Sequence, residues 1–318
     1  MASLMVTEDQ APEGLARSRL ASLVSAAASS LPIGVVYPCD VPSMQAAVRL
    51  AALGLAQPVL IGPRPLMTQA ADAAQASLTD FDIIDASNAS SAARRGTELA
   101  RNGAVAALMK GSLHTDELLR AVVSREADLR GPTRISHVFL FDLPRYHKLL
   151  ALADCVVNVS PTLTEKRDIL HNAIVLLHAI GVACPKVAIV AAVETIDPSM
   201  PATLDAAALV QMSARGQLPA AVVDGPFGFD NAISAESARQ KGIVSSVAGD
   251  PDLILVPDLQ CGNVLYKSFT YIGGGACAGV VLGARVPIAL SSRADGLETR
   301  VASAALAVKL ALARRASA

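Results

Sequence analysis

Four stretches of the sequence set small and charged residues directly after an apolar run, where a strand hands over to a helix. In the first, Lys110-Gly111-Ser112 closes such a run and leads into Thr115-Asp116-Glu117. Backbone N–H groups at a helix start, with a lysine beside them, hold anions. The GxxxxGK spacing of a Walker loop is missing, so an ordinary strand-to-helix turn reads equally well. In the second, Asp224-Gly225-Pro226 precedes Asp230-Asn231. Two carboxylates around a Gly-Pro turn could orient a ligand or hold a hard metal ion; a structural turn lining the site is the favoured reading. In the third, Gly262-Asn263 would let the backbone approach a ligand, with Lys267 one helical turn on. In the fourth, an apolar run delivers Ser291-Ser292-Arg293 to its end, followed by Asp295 and Glu298. The guanidinium fork matches phosphate oxygens and serine adds a short donor. Asp295 serves as an acid or base, or caps the next helix. If these strand ends share a cleft, Lys110, Lys267 and Arg293 bring three cations to a phosphorylated or CoA-type substrate.

Other chemistries find little support. His171 and His178 fall seven residues apart with no third ligand, too little for zinc. No GxSxG elbow occurs, and Gly273-Gly274-Gly275 lacks the dinucleotide spacing. The five cysteines include no CxxC pair, which points to inert thiols in a reduced, cytoplasmic setting. A net charge of -1 with 3% aromatic residues and no tryptophan leaves neither the basic field nor the stacking surface that nucleic acid requires. Glu8 and Asp9 precede any apolar run, unlike a signal peptide. The longest apolar candidate, 273–290, is broken by Arg285 and Pro287, so no membrane span is expected.

Those four strand ends need a scaffold. Short runs at 33–37, 58–61, 81–84, 104–109, 138–142, 155–159, 187–193, 220–223, 253–256, 279–282 and 287–290 read as buried strands. Ala- and Leu-rich stretches at 43–55, 91–102, 115–123, 164–180 and 203–215 read as helices between them, and residues 1–30 as an N-terminal helix. Strand alternating with helix predicts an α/β fold with mainly parallel sheet. Length suggests two domains. A boundary falls near 131–147, and the last strand and helix return to the first half. The expected division is 1–142 plus 284–318 against 143–283, with a ligand cleft between them.

The order of the motifs identifies more than any one of them. Lys110-Gly111, Thr164 to Leu170, Asp224-Gly225-Pro226 with Asp230 to Ser234, Gly249 to Asp252, Val256-Pro257-Asp258, Gly262-Asn263 with Tyr266-Lys267, and Ser292-Arg293-Ala294-Asp295 resemble, in order, the phosphate acetyltransferase and phosphate butyryltransferase family. The resemblance implies a two-lobed α/β fold like the isocitrate and isopropylmalate dehydrogenases, usually a homodimer. It implies the reaction acyl-CoA + phosphate ⇌ acyl phosphate + CoA, with CoA as substrate and no metal or nucleotide cofactor. It places Ser292 and Arg293 at the phosphate and the reacting carbonyl. The acetyl branch has a basic aspartate at the spacing occupied here by Thr299, leaving Asp295 and Glu298 as the available acids. A second arginine of that branch is replaced in the neighbourhood of Thr270 and Tyr271. Ser-Arg-Ala-Asp and Tyr266-Lys267-Ser268 look closer to the butyryl branch. The competing readings are a metal- and NAD-dependent decarboxylating dehydrogenase of the same fold and a non-catalytic CoA- or acyl-phosphate-binding protein.

Overall fold

The computed structural model describes residues 18–25, 27, 29–291 and 295–316. After α1 (Ala21–Ser25), strand and helix alternate: β1 (Pro32–Val36), α2 (Val41–Ala52), β2 (Gln57–Gly62), α3 (Arg64–Ala73), β3 (Asp82–Asp85), α4 (Ala89–Arg101), β4 (Ala107–Lys110) and α5 (Thr115–Val122). Two strands, β5 (Ser136–Asp142) and β6 (Leu150–Ala153), follow without a helix between them. Then come α6 (Leu163–Ala179), β7 (Lys186–Val190), α7 (Pro201–Ala214), β8 (Val222–Phe227), α8 (Phe229–Ile233), α9 (Ala235–Gln240), β9 (Leu253–Leu255), α10 (Leu259–Tyr271), β10 (Ala276–Leu282), β11 (Ile288–Ala289) and α11 (Leu297–Ala316).

Local chemistry fixes several of these starts. Asp40 caps α2 by accepting from the Ser43 N–H, with proline in the first turn. Asn88 with Ser91, and Thr162 with Glu165, form capping boxes at α4 and α6. Asp116 and Glu117 occupy the first turn of α5 as expected, and Gly181 follows α6 at φ +97°, the conformation that favours glycine.

All eleven strands join one sheet, ordered β3-β2-β1-β4-β11-β10-β5-β6-β9-β7-β8. The half comprising β3, β2, β1, β4 and β11 is parallel. The half comprising β6, β9, β7 and β8 is also parallel. Between them, β10 and β5 pair antiparallel with each other, β10 pairs antiparallel with β11, and β5 antiparallel with β6. The two parallel halves therefore run in opposite directions, and their carboxyl ends approach one another across β10 and β5. This is a mixed α/β fold with a large, mostly parallel sheet flanked by helices.

The two faces of the sheet differ. One carries a continuous apolar layer from Leu60 and Met109 through Ala278 and Val138 to Val187, covered by α2, α3, α6, α7 and α11. On the other face the core is split. One cluster lies under α4 and α5 and includes Val36, Leu108 and Leu290. A second lies under α8 and α10 and includes Phe139, Leu152 and Ile254. Val156 packs against both. The C-terminal helix α11 returns to the first half and buries Val301 through Leu306 beside Met44 and Leu50.

One expected strand is displaced. The β-branched run at 155–159 is a loop, and the strand is the Leu/Ala run just before it, Leu150–Ala153. The cause is Asp154, whose carboxylate accepts the N–H groups of Val156 and Val157 at 2.9 and 3.0 Å. Those groups are thereby removed from the ladder.

Candidate active site

A cleft of about 1220 Å³ opens among the end of β4, helix α5, the 156–158 loop and the start of α6. Lys110, Arg130, Arg134, Val156, Asn158 and Asp168 are among its lining residues. Lys110 ends β4, and alternation along that strand turns it toward the split face, as it does Leu108. The lysine is 2% exposed, and its Nζ donates to the carbonyls of Gly111 and Leu113, both at 3.2 Å. A buried ammonium demands such acceptors. In β11, Ala289 pairs with Met109 of the parallel neighbour. The next residues, Leu290 and Lys110, thus leave the sheet side by side.

The expected site residues divide into three groups. Gly111 and Ser112 build the turn beside Lys110. A Cβ on Gly111 would stand 2.3 Å from the Tyr37 carbonyl oxygen, so only glycine lets this turn dock on β1. The Ser112 hydroxyl donates to that same oxygen at 3.0 Å. Ser292 and Arg293 lie outside the described residues. Their described neighbours are Ser291, which is buried, and Asp295, whose carboxylate accepts a long hydrogen bond from the Tyr266 hydroxyl at 3.4 Å.

The remaining group is not brought to Lys110. Asp224 lies on β8, the outermost strand, while β4 is fourth from the opposite edge. Its carboxylate accepts from the Ser245 hydroxyl at 2.5 Å and the Gly225 N–H at 2.8 Å, which matches the turn reading. Gly262 approaches the backbone of the neighbouring loop. A Cβ there would sit 2.5 Å from the Asp154 carbonyl oxygen. The Asn263 amide donates to the Cys155 carbonyl at 3.4 Å. Both residues therefore seat α10 on the 154–158 loop. Lys267 is exposed on α10 and does not line this cleft.

The cleft wall and the buried layer behind it hold residues that sequence reasoning passes over. Asp154 is 3% exposed and, besides the two loop N–H groups, accepts from the His137 N–H at 3.2 Å and the Asn158 amide at 2.5 Å. Burial pushes its pKa up, and these four bonds oppose the rise. Arg134 donates through Nε to Asn158 Oδ1 at 2.5 Å and pairs with Glu165 at 2.7 Å. The Thr162 N–H, the largest cause, and Arg134 both lower the Glu165 pKa. A continuous network thus runs from Asp154 through Asn158 and Arg134 to the cap of α6. The available signals were Arg134 two residues ahead of a strand and Asp154 with Asn158 closing an apolar run. His137 is wholly buried between the clusters. Its ring nitrogens lie beside the Leu290 backbone without reaching hydrogen-bonding geometry, and burial drives its pKa down to about 3.

Among the described residues, no three His, Cys, Asp or Glu side chains gather as a metal site would require, and no helix is long and apolar enough to cross a membrane. The cleft thus has Lys110 at the end of β4 on one side and, on the other, a loop ordered by the buried Asp154 carboxylate.

Comparison with known proteins gives this cleft its context. A phosphate acetyltransferase of Rickettsia felis is 48% identical over 274 residues, covering 86% of this chain and 78% of its own. A phosphate butyryltransferase of Clostridium acetobutylicum is 39% identical, covering 88% of this chain and 93% of its own. The crystal structure of a phosphotransacetylase from Streptococcus pyogenes superposes with a TM-score of 0.80 at 21% identity, over 96% of this chain and all of that one, a likeness of fold. The family model described as phosphate acetyl/butaryl transferase matches residues 86–308, and the chain belongs to that family.

Proposed function

We propose that the cleft binds acyl-CoA and inorganic phosphate together and passes a short acyl group, acetyl, propionyl or butyryl, directly between them. The chain is an acyltransferase of the phosphate acetyl/butyryltransferase type; the ternary complex and the residue roles are the proposal. CoA enters as a substrate, and the reaction as written uses no cofactor. The observation that carries this reading is the register of β4 and β11, in which Ala289 faces Met109. It sets Lys110 beside the strand end from which Ser292 and Arg293 follow in sequence.

Toward acyl-CoA, the CoA thiolate attacks the carbonyl carbon of the acyl phosphate and a tetrahedral oxyanion forms. The C–O bond then breaks and phosphate departs with the electron pair. Ser292 and nearby backbone N–H groups stabilise the oxyanion, a contribution of about 10²–10³ in rate for one donor in comparable sites. Arg293 neutralises the departing phosphate, and Lys110 supplies further positive charge behind it. Asp295 takes the thiol proton, with Glu298 as the neighbouring carboxylate in the same stretch.

The wider arrangement is part of the same proposal. Residues 1–142 with 284–318, and 143–283, act as two lobes of an isocitrate dehydrogenase-like fold. The protein works as a homodimer in the reduced cytoplasm. Val264, Tyr271 and Ile272, which are 65%, 68% and 87% exposed, support burial by a second copy. The five cysteines are free, which supports the reduced setting. The test is phosphate-dependent thiol release from acetyl-, propionyl- and butyryl-CoA. Release that saturates with phosphate and differs among the three is expected; release independent of phosphate would refute the reading.

A further inference from the structure

The residues on either side of the 292–294 segment are described, and one aromatic stack reaches both. Tyr266, 6% exposed on α10, lies on Phe139 of β5 with ring centroids 4.1 Å apart and planes within 8°. Its hydroxyl points to Asp295 at 3.4 Å. On the other side of Phe139, His137 packs edge-on at 4.3 Å and adjoins the Leu290 backbone. The stack is tight because β10 has glycine at position 279. A Cβ there would meet the Leu290 oxygen at 2.5 Å, Phe139 at 2.8 Å and His137 Nε2 at 2.9 Å. Gly279 is itself fixed, with its N–H donating to the Ser303 hydroxyl at 2.9 Å and its carbonyl accepting from the Leu290 N–H at 3.1 Å. Arg300, buried in α11, donates from Nε to the Asp295 carbonyl at 3.3 Å.

We propose that Tyr266 is a positioning residue for acyl transfer, its hydroxyl fixing Asp295, which follows Arg293 by two positions in the sequence, while the stacked Phe139 ring holds the tyrosine in place. The inference rests on the reading that Ser292 and Arg293 contact the phosphate. Tyr266 comes from the helix that covers the split face, and Asp295 leads into a helix on the continuous face. The contact therefore ties α10 to the residues that lead into α11. Burial, the nearby Asp295 charge and the hydrogen bond all raise the tyrosine pKa, keeping the hydroxyl a donor.

The test compares Tyr266→Phe, Asp295→Asn and the double variant, with Arg293→Ala alongside. Phosphate and acyl-CoA are varied separately, and thermal unfolding is recorded. Tyr266→Phe keeps the stacked ring and removes the hydroxyl alone. The expected result is a roughly five- to fiftyfold loss in kcat/KM for phosphate, acyl-CoA KM within about twofold of wild type, and a double variant no worse than the worse single one. Unchanged phosphate kinetics in Tyr266→Phe would overturn the proposal, as would equal losses for both substrates accompanying a fall in Tm, or losses that multiply in the double variant. A fully active Arg293→Ala enzyme would remove the underlying reading instead. Impaired Arg293→Ala with normal Tyr266→Phe would remove this inference alone.

Discussion

His137 gives a direct physical test of the core between the two clusters. The ring is wholly buried, and burial lowers its pKa from 6.5 to about 3. The folded protein thus holds it neutral across the physiological range. The unfolded chain takes up a proton there as pH drops below 6.5, so acid favours unfolding. A histidine depressed in this way contributes stability that is fully present above 6.5 and is lost as pH falls toward 3. Between pH 6.5 and 5 the proton concentration rises by about 1.5 decades, each worth roughly 1.36 kcal/mol, so the loss is about 2 kcal/mol. His137→Asn removes the titrating group. Urea unfolding of wild type and variant at about pH 5 and pH 7.5 isolates the effect, because other carboxylates and histidines contribute to both proteins. The variant loses packing at both pH values, but its pH-dependent loss should be smaller than the wild-type loss by about 2 kcal/mol. Equal pH dependence in the two proteins would refute the reasoning, since it would mean that His137 titrates normally in the folded state.

Three further outcomes are expected. Arg293→Ala should raise the phosphate KM and cut kcat by about tenfold or more, the scale of a lost charge-assisted contact; steady-state thiol release measures both. Arg134→Ala removes a half-exposed ion pair, which contributes little to stability. It also frees Asn158 in the cleft wall, so the KM for an anionic reactant should rise about tenfold while Tm stays near the wild-type value. Gly262→Ala places a methyl group 2.5 Å from the Asp154 carbonyl and should cost about 1–3 kcal/mol in urea unfolding, with loss of activity as the 154–158 loop shifts.

Most of the scaffold is legible from patterning alone. Continuous apolar runs mark β1, β2, β7 and β9 because both faces of those strands are buried. The helix ends at Asp116-Glu117 and Gly181 carry their signals locally. The reading failed at 150–159 because propensity favoured Val156, Val157 and Val159 over Leu150 and Ala151. A single buried carboxylate captures the valine N–H groups, and no local pattern records that. The site followed the same logic. The places of Lys110 at a strand end and Gly111 in a turn are readable because both are local events. Asp224 and Lys267 share their residue types with a phosphate site, but strand order carries one to the sheet edge and helix facing turns the other to solvent. Arg134, Asp154 and Asn158 are joined only by folding β5 against β6, so their partnership is a tertiary fact.

The unequal faces of the sheet bear on how the enzyme can move. Where the core is split, Val156 packs against both clusters and His137 lies between them. Behind them, an unbroken apolar layer and seven paired positions between β5 and β10 bind the halves together. Such a backing resists sliding and separation, since either would expose the layer to water. It yields to a change in the twist of the two central strands. Gripping a substrate would then resemble wringing a strip of cloth more than shutting a jaw. The rotation would be shared along the whole strand pair, with the greatest travel at the outer helices and the least at His137.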